Sequence, residues 1–228
     1  MKGILYKSPE RPSYIPETTT PIRLPRRDND IEVWKSLYQT NGKERIQTNP
    51  MHMSLKAGKE WMTDVYNFGF VSLYAINKEN VLVLCSPSGH VLVFTKVGPA
   101  LQLPQEVRDI LYKIKDVKKV ALFKDLVEKF LNNNGMEPLP IVDLHPLAKK
   151  YVGEINFGVL NFFKQQLGKD FITRGEFDIE ADEHVRQAAH LSRTVSYAVW
   201  FIVARQASRA GLTPQGNISS FLRYTLFI

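Results

Sequence analysis

Short runs of apolar residues in the first half of the chain predict β-strands. They are MHMSL at 51–55, FVSLYAI at 70–76, NVLVLCS at 80–86 and VLVF at 91–94. Apolar runs of this length, bounded by turn residues, are typical of buried strands. The NKEN turn between the second and third runs is short enough for a hairpin. We therefore expect an antiparallel meander.

After residue 100 the apolar positions change to helical spacing. LPQEVRDILYKI has Pro104 in a first helical turn, and its apolar residues recur three and four positions apart. KKVALF (118–123) and LPIVDL (139–144) predict strands, and the intervening KDLVEKFLNNNG predicts a helix closed by Gly135. The remainder is mostly helical in pattern. Strands first, then strands alternating with helices, favour an α/β fold: a mixed sheet with helices on its faces.

Residues 1–27 predict an extended arm. They hold five of the thirteen prolines and six basic residues against two acidic ones, which is +4 of the net charge of +7. Proline blocks helices and central strands. The arm is either a docking peptide for a protein groove or an RNA backbone, or a disordered leader. The folded domain is expected to span residues 28–228, starting where Asp30 can cap a short helix.

Composition narrows the class of protein. The net charge of +7 and the pI near 9.4 favour an anionic partner. No apolar run approaches the roughly 20 residues of a membrane span, and the first residues lack a secretion signal. We therefore expect an intracellular protein with no membrane contact. Cys85, the single cysteine, lies in an apolar run and is expected to be a buried structural thiol.

Several short words of sequence, in order, resemble the 3′-to-5′ exonuclease domain of the DEDDy group, of the RNase D and Werner-helicase type. The words are FVSLYAI followed by NVLVLCS, LPQEVRDILYKIKDVKKVALFKDLVEKF, IVDLHPLAKKY, NFFKQQLGKDF and LSRTVSYAVWFIVARQA. The resemblance spans about residues 30–210. It implies a ribonuclease H-like fold.

In that family four carboxylates hold two divalent metal ions, which activate water and stabilise the leaving oxygen. The family positions fall here on Gly58, Glu60, Asp125, Tyr197 and Phe201. Glycine and phenylalanine stand where the first and last carboxylates belong, so two of the four remain. The resemblance therefore implies a degenerate site, with neither a metal nor another cofactor.

The expected function is that of a catalytically inactive adaptor or scaffold in an RNA-handling complex, of the small-RNA or mRNA regulatory kind. One alternative is an active metal-dependent 3′-to-5′ exoribonuclease, in which Asp64 or another nearby acid takes the missing role. A second alternative is a protein-interaction module that binds no nucleic acid.

Two sets of residues are candidates for binding. Contacts to single-stranded RNA are predicted for Lys56, Lys59, Lys124 and Arg193 near the former cleft and for Arg23, Arg26 and Arg27 in the arm, with Tyr66, Phe68 or Trp200 available for stacking. Contacts to a protein partner or a second copy are predicted for Phe221, Leu222, Tyr224 and Phe227, unless the C-terminal segment folds back on its own domain. Asp143 is expected to cap the helix that follows it.

Overall fold

The computed structural model describes residues 35 and 38 and the segments 45–54, 56–76, 80–96, 101–152, 158–168 and 178–210, with side chains up to residue 206. The predicted arm and the apolar C-terminal segment lie outside these residues. Of the short helix predicted after Asp30, residues Lys35 and Tyr38 are described, and both are helical. In the described segments, no helix is both long and apolar enough to cross a bilayer.

Six strands form one mixed sheet. They are β1 (Ile46–Thr48), β2 (Phe70–Ile76), β3 (Val81–Cys85), β4 (Val91–Thr95), β5 (Lys118–Ala121) and β6 (Ile141–Asp143). Their order across the sheet is β1-β4-β3-β2-β5-β6. Strands β2, β3 and β4 form an antiparallel meander, while β5 lies parallel to β2, and β6 parallel to β5. The predicted α/β class, with a mixed sheet flanked by helices, is confirmed, but the parallel strand β1 precedes the meander.

Helices cover both faces of the sheet. They are α1 (Lys56–Phe68), α2 (Gln105–Arg108) continuing as a π-helical segment (Asp109–Lys113), α3 (Lys124–Asn133), α4 (His145–Val152), α5 (Val159–Leu167) and α6 (Asp182–Ala210). One face of the sheet packs against α1, the π-helical segment and α3. The other face packs against α6, and α4 and α5 join α6 in the same apolar cluster.

Burial on both faces explains the strand sequences. All five residues of β3 are buried, because helices lie above and below it, so the strand is a continuous apolar run. Helix α6 lies deeper than an ordinary surface helix: residues 191–204 are buried at every position. A helix that is apolar all round is typical of a core position. The YAVWFIV run therefore lies in the hydrophobic core of the domain.

The strand predicted at residues 51–55 is wrong. Residues 51–54 form no strand, and α1 begins at Lys56. Trp61, Val65 and Phe68 are buried along one side of α1. Their spacing of four and three residues is helical and overrides the short apolar run before it. The first family motif therefore lies on a helix.

Strand β1 was not predicted from the sequence. It pairs in parallel with β4 at the edge of the sheet. Its sequence, IQT, carries two polar residues out of three, so it lacks the apolar alternation by which strands are recognised.

The predicted helix boundaries hold. Helix α2 begins directly after Pro104, and α3 is followed by Gly135, whose φ of 64° is a conformation that glycine adopts without strain. The backbone N–H of His145 donates to the Asp143 carboxylate at 3.0 Å. Asp143 therefore caps the start of α4 as expected.

Cys85 is fully buried, and burial raises the pKa of its thiol to about 12. A thiol that stays protonated and out of contact with water is a poor nucleophile. The prediction of a structural cysteine is confirmed.

Lys119 on β5 is a buried lysine, with only 3% of its surface exposed. Its ammonium group donates to the Ile114 carbonyl at 2.7 Å. Burial, together with the neighbouring charge of Lys118, lowers the pKa of Lys119 to about 8. The folded protein therefore favours the neutral amine more than the unfolded chain does.

This shift predicts a pH-dependent stability difference between the wild type and Lys119→Met. Above about pH 8 the folded protein loses a proton that the unfolded chain keeps until about pH 10.5. The free energy of unfolding of the wild type should therefore rise relative to that of the variant across this window, by up to about 3 kcal/mol. Urea denaturation at a series of pH values measures the difference.

Lys118→Met provides the control, because it removes the neighbouring charge but keeps the buried amine. It should shift the start of the window to higher pH without abolishing it. Parallel stability profiles for the wild type and Lys119→Met would show that Lys119 is not the group responsible.

Candidate functional site

The turn between β3 and β4 is buried at all of its residues, 86–90. Side chains from distant segments satisfy its carbonyl groups. The Pro87 carbonyl accepts hydrogen bonds from the Tyr38 hydroxyl and, at 3.1 Å, from the Trp200 indole N–H. The Gly89 carbonyl accepts from Arg193 Nε at 3.0 Å. These hydrogen bonds therefore hold the turn against α6 and against the segment that contains Tyr38.

A carboxylate on α1 binds the side chains of the same turn. Asp64 accepts hydrogen bonds from the hydroxyls of Ser86, at 3.1 Å, and of Ser88. Its Oδ2 also lies 3.3 Å from His90 Nδ1. The other ring nitrogen, Nε2, lies 3.6 Å from Glu60 Oε2. Asp64 and Glu60, one turn apart on α1, thus face one imidazole.

The geometry of this cluster fits a structural clamp. Both serine hydroxyls donate to Asp64, whereas a nucleophilic serine needs its hydroxyl on a base such as histidine. Among the described residues, no group of three or more histidine, cysteine, aspartate or glutamate side chains could hold a metal ion. The described contacts therefore give the cluster a role in holding α1 against the turn.

The packing of α1 explains why residue 58 is a glycine. A Cβ atom at this position would lie 2.9 Å from the backbone oxygen of Met53 and 3.0 Å from its Cα. Contacts this short with backbone atoms require the helix to move. Gly58 therefore permits the close approach of α1 to the preceding segment, whatever its place in a family motif.

Glu60 and Asp125 lie beside different strands of the sheet. Glu60 contacts His90, which directly precedes β4. Asp125 is exposed in the first turn of α3, after the carboxyl end of β5. Strands β3 and β2 lie between β4 and β5 in the sheet. The two carboxylates therefore have different surroundings.

Tyr197 and Phe201 lie in an aromatic cluster between α5 and α6. The ring of Phe201 is 5.3 Å from Phe163 and 5.9 Å from Phe162, and Tyr197 is 6.0 Å from Phe163, all in edge-to-face geometry. The two residues are only 2% and 8% exposed, respectively. Apolar rings fill the position at which the family pattern places its last carboxylate.

The predicted RNA contacts fall into different environments. Lys56 and Lys59 are exposed on α1, and Lys124 is partly exposed on α3. Arg193 is wrong as a surface contact: it is 6% exposed, it binds the Gly89 carbonyl, and burial lowers the pKa of its guanidinium. The arm residues Arg23, Arg26 and Arg27 and the C-terminal residues Phe221, Leu222, Tyr224 and Phe227 lie outside the described residues.

Two of the three predicted stacking residues are also wrong. Trp200 is fully buried, and Phe68, which is 6% exposed, packs edge-to-face on it at 5.4 Å. Tyr66 is 38% exposed and stays available.

Sequence reasoning missed the connection between α1 and the β3–β4 turn. Asp64 and His90 are 26 positions apart, and no motif spacing connects them. The usable signal was the spacing of four between Glu60 and Asp64, which would place both acids on one side of a helix. Because a strand was predicted at the start of this region, the helical spacing of the two acids was overlooked.

No known protein family, curated protein or solved structure matches this chain. The resemblance to the exonuclease family therefore depends on short sequence words and on the arrangement of the strands.

The close contact at Gly58 predicts that a single added methyl group is unfavourable. Overpacking typically costs about 1–3 kcal/mol, and the better helix propensity of alanine offsets at most about 1 kcal/mol of it. We expect Gly58→Ala to lower the free energy of unfolding by about 1–2 kcal/mol in urea denaturation.

The matched control is Lys59→Ala, a truncation at the next, exposed position of the same helix. It should change stability by less than about 0.5 kcal/mol. A Gly58→Ala variant as stable as the wild type would mean that α1 does not approach Met53 as closely as described.

Proposed function

We propose that this chain is an exonuclease-like domain, of the ribonuclease H-like fold, that does not cut RNA and serves as an adaptor or scaffold in an RNA-handling complex. The observation that carries the proposal is the aromatic cluster at Phe201. Divalent ions of the kind used for phosphoryl chemistry need oxygen ligands. The rings of Phe162 and Phe163 provide none and occupy the space beside Phe201.

The residues at the first metal motif support the same proposal. The motif falls on Gly58 and Glu60, which lie on α1. Glycine stands where the first carboxylate belongs, and the glutamate lies beside His90.

The arrangement of the strands supports the fold resemblance. An antiparallel meander of three strands is followed by two strands that run parallel to its first member, with helices on both faces. This agrees with the mixed sheet that the resemblance implies, to which β1 adds a parallel strand at one edge. The long C-terminal helix α6 packs across β2, β3 and β4.

Loss of ligands has a large effect on a concerted site. Removing one catalytic member commonly lowers the rate by several orders of magnitude, and the remaining members do not compensate. A domain with two of four carboxylates, lying beside different strands of its sheet, therefore supports an inactive scaffold better than a slow nuclease.

The adaptor role draws on surfaces predicted from the sequence. The arm of residues 1–27, with its net charge of +4, is a candidate for docking to a protein partner or RNA. The apolar residues of the last ten positions are candidates for a partner or for a second copy of the chain. A protein with this role is expected to be intracellular.

The proposal predicts no exonuclease activity. Labelled single-stranded RNA incubated with the purified protein and Mg²⁺ or Mn²⁺ should stay full length in a denaturing gel. The melting temperature should also be unchanged by either ion, since a ligand that does not bind the folded state does not stabilise it.

Asp125→Asn is the diagnostic variant in the same assay, because Asp125 is one of the two remaining family carboxylates and is exposed. Shortening of the RNA from its 3′ end by the wild type, abolished by Asp125→Asn, would contradict the proposal. It would instead establish the alternative of an active exoribonuclease.

A further inference from the structure

Charge is distributed unequally over the two helical layers of this domain. The layer formed by α1, the π-helical segment and α3 carries both basic and acidic residues. Three ion pairs join lysines and acids one turn apart on this layer: Lys56 with Glu60 at 3.9 Å, Lys113 with Asp109 at 2.7 Å, and Lys124 with Glu128 at 3.4 Å. The charge of this layer is therefore largely neutralised within it.

The opposite layer has a single sign of charge over most of its length. Helix α4 contains two lysines, α5 contains one, and neither contains aspartate or glutamate. In α6 the acids are confined to Asp182 and Glu183. Residues 184–206 of α6 contain three arginines and no acidic residue. The three helices pack together in one apolar cluster, so these charged residues belong to one layer.

We define the basic face by its charged members, Lys149, Lys150, Lys164 and Arg205. Lys149 and Lys150 are exposed in the last turn of α4. Arg205 is exposed, with its guanidinium 5.2 Å from the centre of the Phe201 ring. That contact holds the arginine against the aromatic cluster.

The side chains between the cations can donate hydrogen bonds. Asn161 and Gln165 on α5 are both exposed. Amide side chains, lysines and arginines are the groups that most often contact phosphate and sugar in nucleic-acid complexes. A face that carries such groups suits the phosphate backbone of a nucleic acid.

We propose that the basic face binds single-stranded RNA through its phosphates. This inference is an addition to the RNA-handling role under "Proposed function" and rests on it. It moves the RNA contact from α1 and α3, where the sequence placed it, to α4, α5 and the end of α6. The contact is electrostatic, so the affinity depends steeply on salt and little on base sequence.

An anionic membrane is the other polyanion that such a face could meet, but the described side chains favour RNA. Helices that bind at a membrane interface insert exposed apolar residues between the lipids. Among the residues whose side chains are described, the large hydrophobic residues with high exposure are Met51, Tyr66 and Leu126, and they lie outside α4, α5 and α6. In the described part of this layer the apolar residues face the core instead.

Two double variants test the proposal with equal changes of charge. Lys149→Gln with Lys150→Gln removes two cations from the basic face, and Lys56→Gln with Lys59→Gln removes two from α1. Each lowers the net charge of +7 by two. Binding to a labelled single-stranded RNA is measured by fluorescence anisotropy without divalent ions, at several salt concentrations.

The basic-face variant should lose affinity by about 25-fold at 0.1 M salt. Each lysine–phosphate contact releases about 0.7 counterions on binding, so the loss of one contact lowers the binding constant about fivefold, and this variant loses two. The slope of log affinity against log salt should fall by about 1.4. The α1 variant should change affinity less than about threefold, because only non-contacting charge is lost. Lys149→Arg with Lys150→Arg should restore binding.

Circular dichroism melting of each variant checks that the fold persists. If the glutamine variant is less stable, the arginine variant still tests the proposal, because it changes the same two positions but keeps their charge. Equal losses for the two glutamine variants, no RNA binding by the wild type, or binding to phosphatidylserine vesicles in place of RNA would each overturn the inference. Cleavage of the RNA in a parallel sample with Mg²⁺ would instead refute the inactive scaffold, and the anisotropy of the same variants without the ion would still locate the RNA contact.

Discussion

A buried hairpin turn is the constraint on which the polar chemistry of this domain depends. Turns ordinarily lie at the surface, because their backbone groups need water. Residues 86–90 are buried, so the carbonyl groups of this turn bind Tyr38, Trp200, Arg45 and Arg193 instead. Asp64 binds the hydroxyls of its serines. Burial of one turn thus demands a carboxylate, two arginines and an indole at fixed places. These are the residue types that also suggest catalysis or RNA binding.

Much of the sheet could be predicted from the sequence, because β2, β3 and β4 carry long apolar runs and a short connecting turn. The alternation of strand and helix after residue 100 was equally clear, with Pro104 and Gly135 marking helix ends. Helix α1 was missed, because the apolar run before it favoured a strand in this region and Gly58 weakened the helical pattern. The buried turn is beyond sequence reasoning: it depends on Tyr38 and Trp200, which are 162 positions apart and share a hydrogen bond of 2.8 Å.

The candidate site was predictable in part. Phe201 was expected to fill the place of a carboxylate, and in the structure it lies among aromatic rings. Arg193 was expected on the surface, yet it spans the core to a carbonyl of the turn. A charged residue in sequence carries no information on its burial, which depends on the packing of α6 against the sheet. The sequence therefore shows where the cations stand along the chain but not which of them are exposed, and the asymmetry between the two helical layers appears only in three dimensions.

The structural role of the α1 carboxylates is tested most directly by a double-mutant cycle between Asp64→Asn and Ser88→Ala, measured by urea denaturation. Hydrogen bonds to a charged acceptor are stronger than neutral ones, and residues in one network couple by about 0.5–3 kcal/mol. We expect each single variant to lower the free energy of unfolding, with a coupling energy of at least about 1 kcal/mol. Effects that add within about 0.3 kcal/mol, or an Asp64→Asn variant as stable as the wild type, would contradict a clamp between α1 and the turn.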